Sequence, residues 1–394
     1  MVPARLLDLT RLLSRLGRGP MTGVDRVEFA YLDHLLALPD PVYGLIRSAI
    51  GYLLLDRVGM AALRDGRVDL TRSDWIGRLA YRDDPARARA EAGIRRLAIA
   101  RIARTRLAQS LRRYLPAGAS YLNTGHANLD GRTLRQIHAA GLRIAVLVHD
   151  TIPLDHPEFA RADMIAPFRR KMETVAQQAD LVIHTSHDAR AKTEAQFASM
   201  GRVPEAVVAN LGVTVAALTD LPFAPQPPYF VILGTIEPRK NHALLLDIWE
   251  KLPNPPRLYI VGGRGWSNEA IAARLDALPP GSAVRELTGL ADGAVASLLQ
   301  GAQALLFPSH AEGFGLPALE AAALGTPVIA ADLPVFRELL GDFAVYLNAA
   351  DSYSWLETIS ELATTELMGA ELAGRIRKTP PNWADHFKIV LRRV

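Results

Sequence analysis

The chain has 394 residues, 49% of them hydrophobic and 22% charged, which is typical of a globular protein of two domains and excludes a disordered or collagen-like chain. Because the chain contains no cysteine, disulfides, thiol nucleophiles and thiolate zinc sites are excluded. Any catalytic groups must therefore be carboxylates, His, Lys or Arg. The net charge of +4 fits anionic small molecules or membranes as partners; no nucleic-acid-binding motif accompanies it, so we expect no nucleic-acid partner.

The first part of the chain predicts a strand, a helix and two further strands. Residues 5–9 form the first apolar run, and a helix is predicted from Val24 to Leu38 because its apolar residues recur at three- and four-residue steps. Gly23 lies at the turn between the two, where an ordinary tight turn is one interpretation. Two apolar runs between Val42 and Leu55 predict strands, and residues 64–84 predict irregular structure.

An arginine-rich stretch lies between Pro85 and Leu115 and carries nine arginines against one acid, Glu91. Interleaved apolar residues predict one or two helices there. The simplest interpretation is a solvated helix face; the alternative is a surface for anionic membranes. The arginines are Arg87, Arg89, Arg95, Arg96, Arg101, Arg104, Arg106, Arg112 and Arg113.

Targeting signals are not evident in the sequence. No apolar run reaches the roughly 18–20 residues that span a bilayer, and the N-terminus lacks the apolar core of a signal peptide. We therefore expect a cytoplasmic protein, either free or peripheral at the inner face of the plasma membrane through residues 85–115.

The next strands lead to a histidine. Strands are predicted at 120–124, 142–148, 179–186 and 207–212, and the second of them ends just before His149 and Asp150. Open α/β sheets bind ligands at the carboxyl ends of their strands, although a local hydrogen bond is the simpler role for this pair. Ser186, His187 and Asp188 are adjacent at a predicted helix start and cannot form a Ser-His-Asp triad. Ser186 is instead predicted to cap the helix.

A proline-rich linker divides the chain. Four prolines occur in residues 222–228, and beyond them strands and helices alternate with short connections, which predicts a doubly wound parallel sheet. The turn at 262–265 does not spell the dinucleotide fingerprint, so an NAD enzyme is not expected. A terminal helix is predicted from Trp383 to Val394.

Residues 310–320 combine two carboxylates, two glycines and a helix start. Pro317 suits the first helical position, which would place Glu320 in the first turn, and Gly325 ends the helix. The free N–H groups ahead of Leu319 predict an anion seat, most obviously for a diphosphate. Taken alone, Glu320 could merely complement the helix dipole, and Glu312 could be a solvated loop acid.

This string resembles the E-x7-E signature of retaining glycosyltransferases of family 4, with the phosphate loop and the proline in the family's places. Residues 148–159 (VHDTIPLDHPEF) resemble a motif of mannosyltransferase-like members, in which the histidine approaches the transferred sugar. Gly23 is similar to the N-terminal glycine loop of GT-B enzymes. Residues 234–241 keep the family's lysine at Lys240 but have Thr235 in place of its usual arginine, whose charge Arg239 can supply.

The resemblance implies an α/β GT-B fold, with two Rossmann-like doubly wound domains facing a central cleft and a C-terminal helix crossing back. Residues 1–222 would form the acceptor-side domain, with a basic insertion near 45–115 that matches no feature of the family. Residues 223–380 would bind the nucleotide sugar, and residues 381–394 would return to the first domain.

The same resemblance assigns the site. His149 and Glu312 are the expected catalytic residues, and Glu320 is expected on the ribose hydroxyls. The expected donor-binding residues are Gly23, Arg239, Lys240, Thr288, Gly289, Leu290, Gly313, Phe314, Gly315, Leu316 and Glu320, with residues 288–290 at the base. No metal or other cofactor is expected, because fixed cations can neutralise the leaving diphosphate and no Asp-x-Asp pair lies beside them.

The implied function is transfer of a hexose, with retention, from a nucleotide sugar to a glycan or lipid-linked acceptor in polysaccharide biosynthesis. Mannose from GDP-mannose is the leading expectation for the donor, and a UDP-sugar is its rival. Two other functions remain open: a nucleotide-sugar epimerase of the same fold, and a non-catalytic scaffold that binds nucleotide or glycan.

Overall fold

The computed structural model describes residues 4–19, 21–364 and 376–394. Residues 1–3 and 20 of the predicted first domain, and residues 365–375 of the predicted second domain, lie outside the described residues. In the described part of the chain, the strands form two sheets, one of eight strands and one of six. The last strand of the first sheet ends at Val208 and the first strand of the second begins at Tyr229. The proline-rich linker lies between them.

The first sheet has the strand order β4-β3-β2-β1-β5-β6-β7-β8. Its neighbours are parallel except at one edge, where β3 pairs antiparallel with both β2 and β4. The central strands are buried because helices cover both faces of the sheet. The strands are β1 Arg5–Asp8, β2 Val42–Ser48, β3 Gly51–Leu55, β4 Ala100–Ala103, β5 Ser120–Asn123, β6 Arg143–Val148, β7 Leu181–His184 and β8 Ala206–Val208.

Helices connect these strands and begin at recognisable caps. Ser186 caps its helix by accepting a hydrogen bond from the N–H of Ala189 at 3.0 Å, which confirms the predicted cap. The helices are α1 Thr10–Arg15, α2 Gly23–Ala37, α3 Arg57–Arg64, α4 Trp75–Ala80, α5 Pro85–Leu97, α6 Leu107–Tyr114, α7 Gly131–Ala139, α8 Ile152–Asp155, α9 Ala162–Gln178 and α10 His187–Ser199.

The irregular structure expected for residues 64–84 is wrong in part. The one or two helices expected for the arginine-rich stretch are confirmed as α5 and α6, but a strand lies between them. The stretch 64–84 contains α4, which Asp74 caps by accepting from the N–H of Gly77 at 2.7 Å. The arginine-rich stretch contains β4 between α5 and α6, because Ala100 to Ala103 pair with the edge strand β3. Period-based reasoning missed this strand, since its hydrogen bonds go to a partner about fifty residues away.

The second sheet is parallel and has the order β11-β10-β9-β12-β13-β14. This confirms the predicted doubly wound sheet. Its strands are β9 Tyr229–Leu233, β10 Arg257–Val261, β11 Val284–Leu287, β12 Ala304–Phe307, β13 Val328–Ala331 and β14 Ala344–Leu347. Its helices are α11 His242–Lys251, α12 Glu269–Asp276, α13 Asp292–Gln300, α14 Leu316–Leu324, α15 Pro334–Leu340 and α16 Ser352–Thr364.

The terminal helix α17, Trp383–Val390, packs on α2 of the first half of the chain. The Tyr31 hydroxyl lies 2.7 Å from Nε2 of His386, and the rings of His34 and Phe387 stack with centroids 3.8 Å apart. His386 Nδ1 lies 3.1 Å from the carbonyl oxygen of Ala209. Since a carbonyl only accepts, Nδ1 carries the proton and Nε2 accepts from Tyr31. The end of the chain is therefore tied to the first sheet.

Candidate functional site

The strand order of the second sheet places a crevice between β9 and β12. The chain leaves these neighbouring strands in opposite directions across the sheet, and ligands of open α/β sheets bind at such a switch point, beyond the carboxyl ends of the strands. Residues 234–241 follow β9 and residues 308–315 follow β12. The two motifs that the sequence singled out in this half therefore meet at the switch point.

Glu312 is held between two cations in this crevice. Its Oε1 lies 2.5 Å from Nζ of Lys240, and its Oε2 lies 2.9 Å from the Arg239 guanidinium. Burial alone raises the pKa of Glu312, but the charges of Arg239 and Lys240 outweigh it and lower the pKa to about 2. The carboxylate is therefore ionised at neutral pH, and both Arg239 and Lys240 contact it.

Helix α14 begins at the edge of this ion cluster. Gly315 adopts φ 89° ahead of the first turn, and a Cβ there would lie 2.7 Å from the ring of Phe336, so only glycine fits. The N–H groups of Ala318 and Leu319 both donate to the carbonyl of Gly315, at 3.1 and 3.3 Å. These two amides are consequently not free to bind an anion. The predicted anion-binding amides are then those of residues 313–316.

The position of Glu320 differs from the expectation. The helix starts at Leu316, one residue earlier than predicted, so Glu320 lies beyond the first turn. Its Oε1 accepts from the Arg26 guanidinium at 2.8 Å, and Arg26 also contacts Asp292 at 2.9 Å. Burial raises the pKa of Glu320, while Arg26 opposes that rise. In this structure Glu320 thus pairs with a residue of the first half of the chain.

Arg26 is a residue that the sequence analysis missed. It lies in the first turn of α2, three residues after Gly23, and a Cβ at Gly23 would lie 3.7 Å from Cδ1 of Leu316. The signal in the sequence was a charged residue in the first helical turn after a glycine, but its partner Glu320 lies 294 residues away. The turn of α2 and the start of α14 therefore face each other across the cleft.

His149 lies on the opposite wall of the cleft from Glu312. Its Nε2 lies 2.7 Å from the carbonyl oxygen of Thr124, so Nε2 carries the proton and donates it, which leaves Nδ1 as an acceptor. Burial and the charge of Arg11 lower its pKa to about 4, although the bond to Thr124 opposes this shift. At neutral pH the ring is therefore uncharged.

The loop of Gly313 touches this histidine. A Cβ at Gly313 would lie 2.7 Å from the carbonyl oxygen of His149, so a larger residue would push the two walls apart. The Thr185 hydroxyl lies 3.3 Å from the carbonyl oxygen of Gly313 and 3.4 Å from that of His149. The loop that carries Glu312 and Gly313 thus contacts the segment that carries His149, which brings the predicted catalytic residues of the two halves close in space.

The remaining predicted residues lie around this cleft. Thr288 and Gly289 are exposed in the turn after β11, and Leu290 packs partly against the core. This turn ends at α13, whose Asp292 contacts Arg26. Phe314 is 6% exposed and belongs to the apolar core, which fits support of the loop rather than contact with a ligand. The residues predicted for the base therefore lie on the Glu320 side of the crevice.

Comparison with known proteins finds a family match over the second half of the chain. Residues 218–379 match the family of glycosyl transferases group 1. The serotype-specific mannosyltransferase WbdA of Escherichia coli is 31% identical over 233 residues, which is 54% of this chain and 29% of that protein. The O-antigen chain mannosyltransferase RfbU of Salmonella typhimurium is 35% identical over 137 residues, 34% of this chain and 38% of that protein. The chain thus spans well under half the length of these relatives.

Solved structures share the architecture over the whole chain. The sucrose-phosphate synthase of Thermosynechococcus elongatus has a TM-score of 0.63 at 14% identity and covers 99% of this chain and 98% of its own. The Anabaena protein HepE, in complex with UDP and glucose, has a TM-score of 0.62 at 15% identity and covers 99% of both chains. The expected GT-B fold is confirmed, with α17 as its returning helix.

Proposed function

We propose that this chain, which carries a group 1 glycosyltransferase domain in a GT-B fold, transfers a hexose with retention from a nucleotide sugar to a hydroxyl of a glycan or lipid-linked acceptor in polysaccharide assembly. The observation that supports it most is the cleft itself. Glu312 is clamped between Lys240 and Arg239, and the next residue, Gly313, lies against the backbone carbonyl of His149 at the end of the other sheet.

The chemistry follows from the charges. As the sugar–phosphate bond breaks, negative charge grows on the leaving nucleoside diphosphate, and Lys240, Arg239 and the amides of residues 313–316 would stabilise it where it develops. Positive charge grows on the sugar at the same time. The ionised carboxylate of Glu312 would stabilise that charge, and the neutral ring of His149 would accept a hydrogen bond from a sugar hydroxyl through Nδ1.

The proposed donor is GDP-mannose. Its support is the similarity to the mannosyltransferases WbdA and RfbU together with the motif at residues 148–159. A UDP-sugar is the rival, because HepE shares the fold and was solved with UDP and glucose. Glu320 would hold the ribose in either case, since one carboxylate can accept hydrogen bonds from two vicinal hydroxyls. The ribose would then have to share Glu320 with Arg26 or displace it.

A panel of nucleotide sugars tests this function. We expect the release of nucleoside diphosphate to be fastest from GDP-mannose and to rise when a glycan or lipid acceptor is added. An arm with EDTA should run at the same rate, because side-chain cations serve the leaving group. Conversion of the nucleotide sugar into its epimer without acceptor would support the epimerase instead. Binding without any turnover would support the scaffold.

The proposed membrane contact involves the arginine-rich stretch. Two of its arginines already have acidic partners: Arg95 is 2% exposed and pairs with Asp74 and Glu91, and Arg96 pairs with Asp69. The others of interest lie on or near the edge strand β4 and on α6, with their side chains exposed; these are Arg101, Arg104, Arg112 and Arg113. In residues 4–19, 21–364 and 376–394, no helix has the length and apolar character to cross a bilayer.

We expect the protein to float with liposomes that contain anionic lipid and to detach as salt rises. Each suitably placed arginine is worth about 1 kcal/mol near an anionic leaflet, so changing these four arginines to Gln should abolish flotation. A control variant changes Arg169, Arg170, Arg377 and Arg392 to Gln, which removes the same charge from exposed sites elsewhere. Equal flotation of both variants, or binding to neutral vesicles, contradicts the proposal.

A further inference from the structure

A pocket of about 280 Å³ opens beside the donor residues, between the two halves of the chain. One wall is the segment that follows β6 and carries Asp150, Phe159 and Met164. The other wall carries Glu237 and Arg239 after β9 and Trp266 after β10. We call this the cleft pocket. Of its lining residues, only Arg239 was assigned to the donor.

We propose that the cleft pocket binds a neutral sugar residue of the acceptor and presents its hydroxyl to the donor sugar. The inference rests on the proposed transferase function and adds the substrate class and the residues that select it. It also gives a role to the segment 150–159, whose motif the donor site uses only through His149.

The chemistry of the walls fits a sugar. Carboxylates accept hydrogen bonds from hydroxyl groups, and Asp150 and Glu237 supply one from each wall. Phe159 and Trp266 add ring faces that can cover the apolar C–H face of a pyranose. The Arg239 guanidinium is engaged by Glu237 at 2.7 Å and by Glu312 at 2.9 Å, so its charge is already balanced by carboxylates. The other arginine of the lining, Arg161, pairs with Asp163 at 2.8 Å. Because both arginines already have carboxylate partners, the lining suits an uncharged sugar.

Trp266 is held in place by a glycine turn. Ile236 donates its N–H to the carbonyl of Gly263 at 2.9 Å, and Gly265 donates its N–H to the carbonyl of Ile236 at 3.0 Å. A Cβ at Gly265 would lie 2.7 Å from the Thr235 side chain, so the turn can lie flat on the end of β9 only with glycine. Ser267, directly after the tryptophan, adopts φ 46°, which non-glycine residues rarely do. The turn therefore holds the Trp266 backbone at the end of β9, and the half-buried side chain lines the cleft pocket.

The pocket borders the place where transfer would occur. The ring of Phe159 stacks on that of His310 with centroids 4.9 Å apart and planes 6° apart. His310 donates its N–H to the carbonyl of Arg239 at 2.8 Å, and Arg239 in turn contacts Glu312. Arg239 thus forms the partition between the cleft pocket and the clamped carboxylate. A sugar in the pocket would lie next to a sugar at Glu312.

The test uses simple glycosides as acceptor probes. Wild-type protein is given the donor with the fastest release in the panel, together with methyl α-D-mannopyranoside, methyl α-D-glucopyranoside or methyl α-D-galactopyranoside. Trp266→Ala and Phe159→Ala should each raise KM for the accepted glycoside about tenfold, which corresponds to about 1.4 kcal/mol. Hydrolysis of the donor by water and the affinity for the nucleoside diphosphate should stay unchanged. Trp75→Ala, at a ring that is 70% exposed on α4, is the matched control and should change nothing.

The outcomes distinguish the acceptor pocket from the proposed transferase function on which it rests. Absence of nucleoside diphosphate release from every donor refutes the transferase, whereas release to water that no glycoside accelerates refutes the pocket alone. The pocket is also refuted if Trp266→Ala weakens diphosphate binding or leaves the KM for the glycoside unchanged. Trp266→Phe keeps a ring, so it should restore most of the lost acceptor affinity and guards against a variant that fails to fold.

Discussion

Replacing His149 with Ala should lower kcat by about 10²–10³, or roughly 3–4 kcal/mol, with little change in affinity for the nucleoside diphosphate. The histidine lies across the cleft from the Lys240 clamp, and its Nε2 proton is committed to Thr124, so only Nδ1 can meet a sugar hydroxyl. Because the pKa of His149 is about 4, its protonation should cause no loss of rate between about pH 6 and 8. Steady-state kinetics and calorimetry with the nucleoside diphosphate provide the measurements.

His138→Ala is the matched control for this variant. His138 Nε2 lies 2.7 Å from the carbonyl of Gln178, which is the same kind of bond at the same length, but on α7 away from the cleft. We expect it to keep wild-type kcat. A His149→Ala enzyme with near-normal kcat would show that this histidine only braces the loop after β5.

Replacing Lys240 with Ala should weaken binding of the nucleoside diphosphate by about 1.5–3 kcal/mol, the size of a hydrogen bond to a charged group. It should also destabilise the protein, because the buried carboxylate of Glu312 would lose Lys240 and keep only Arg239 as a partner. Breaking a buried ion pair costs about 3–5 kcal/mol. Glu312→Gln should act differently. It removes the anion that competes with the diphosphate for Lys240 and Arg239, so it should lower kcat without weakening diphosphate binding.

Calorimetry and acid unfolding check this pair of variants. The pKa of Glu312 is lowered to about 2 from its ordinary 4.5, so the stability it supplies is full above about pH 4.5 and is lost as the pH falls toward 2. Glu312→Gln should flatten the dependence of stability on pH in that window. Lys192→Ala, which breaks a helical ion pair of 2.7 Å with Asp188, is the control and should leave diphosphate affinity intact. An unchanged affinity of Lys240→Ala for the nucleoside diphosphate would contradict the proposed donor site.

Local patterns in the sequence were enough to identify most elements of the second sheet and the loops that carry the site. Its strands are short apolar runs between glycine, proline and polar turns, and its helices repeat apolar residues every three or four positions. Each strand or helix can therefore be recognised from a window of about ten residues. Lys240 and Glu312 lie in the loops after two of these strands, and their roles were expected from the resemblance to family 4 glycosyltransferases. Parallel strands carry such residues to one edge of the sheet.

Contacts between distant residues were decided only in the folded chain. The strand β4 exists because β3 offers it an edge, and Glu320 meets Arg26 because α2 faces α14 across the cleft. Trp266 becomes a wall of the cleft pocket only because its turn is pinned to the end of β9. A sequence window reports the preferences of neighbours, whereas these contacts join segments separated by about 30 to 300 residues, and the packing of the two sheets against one cleft selects them.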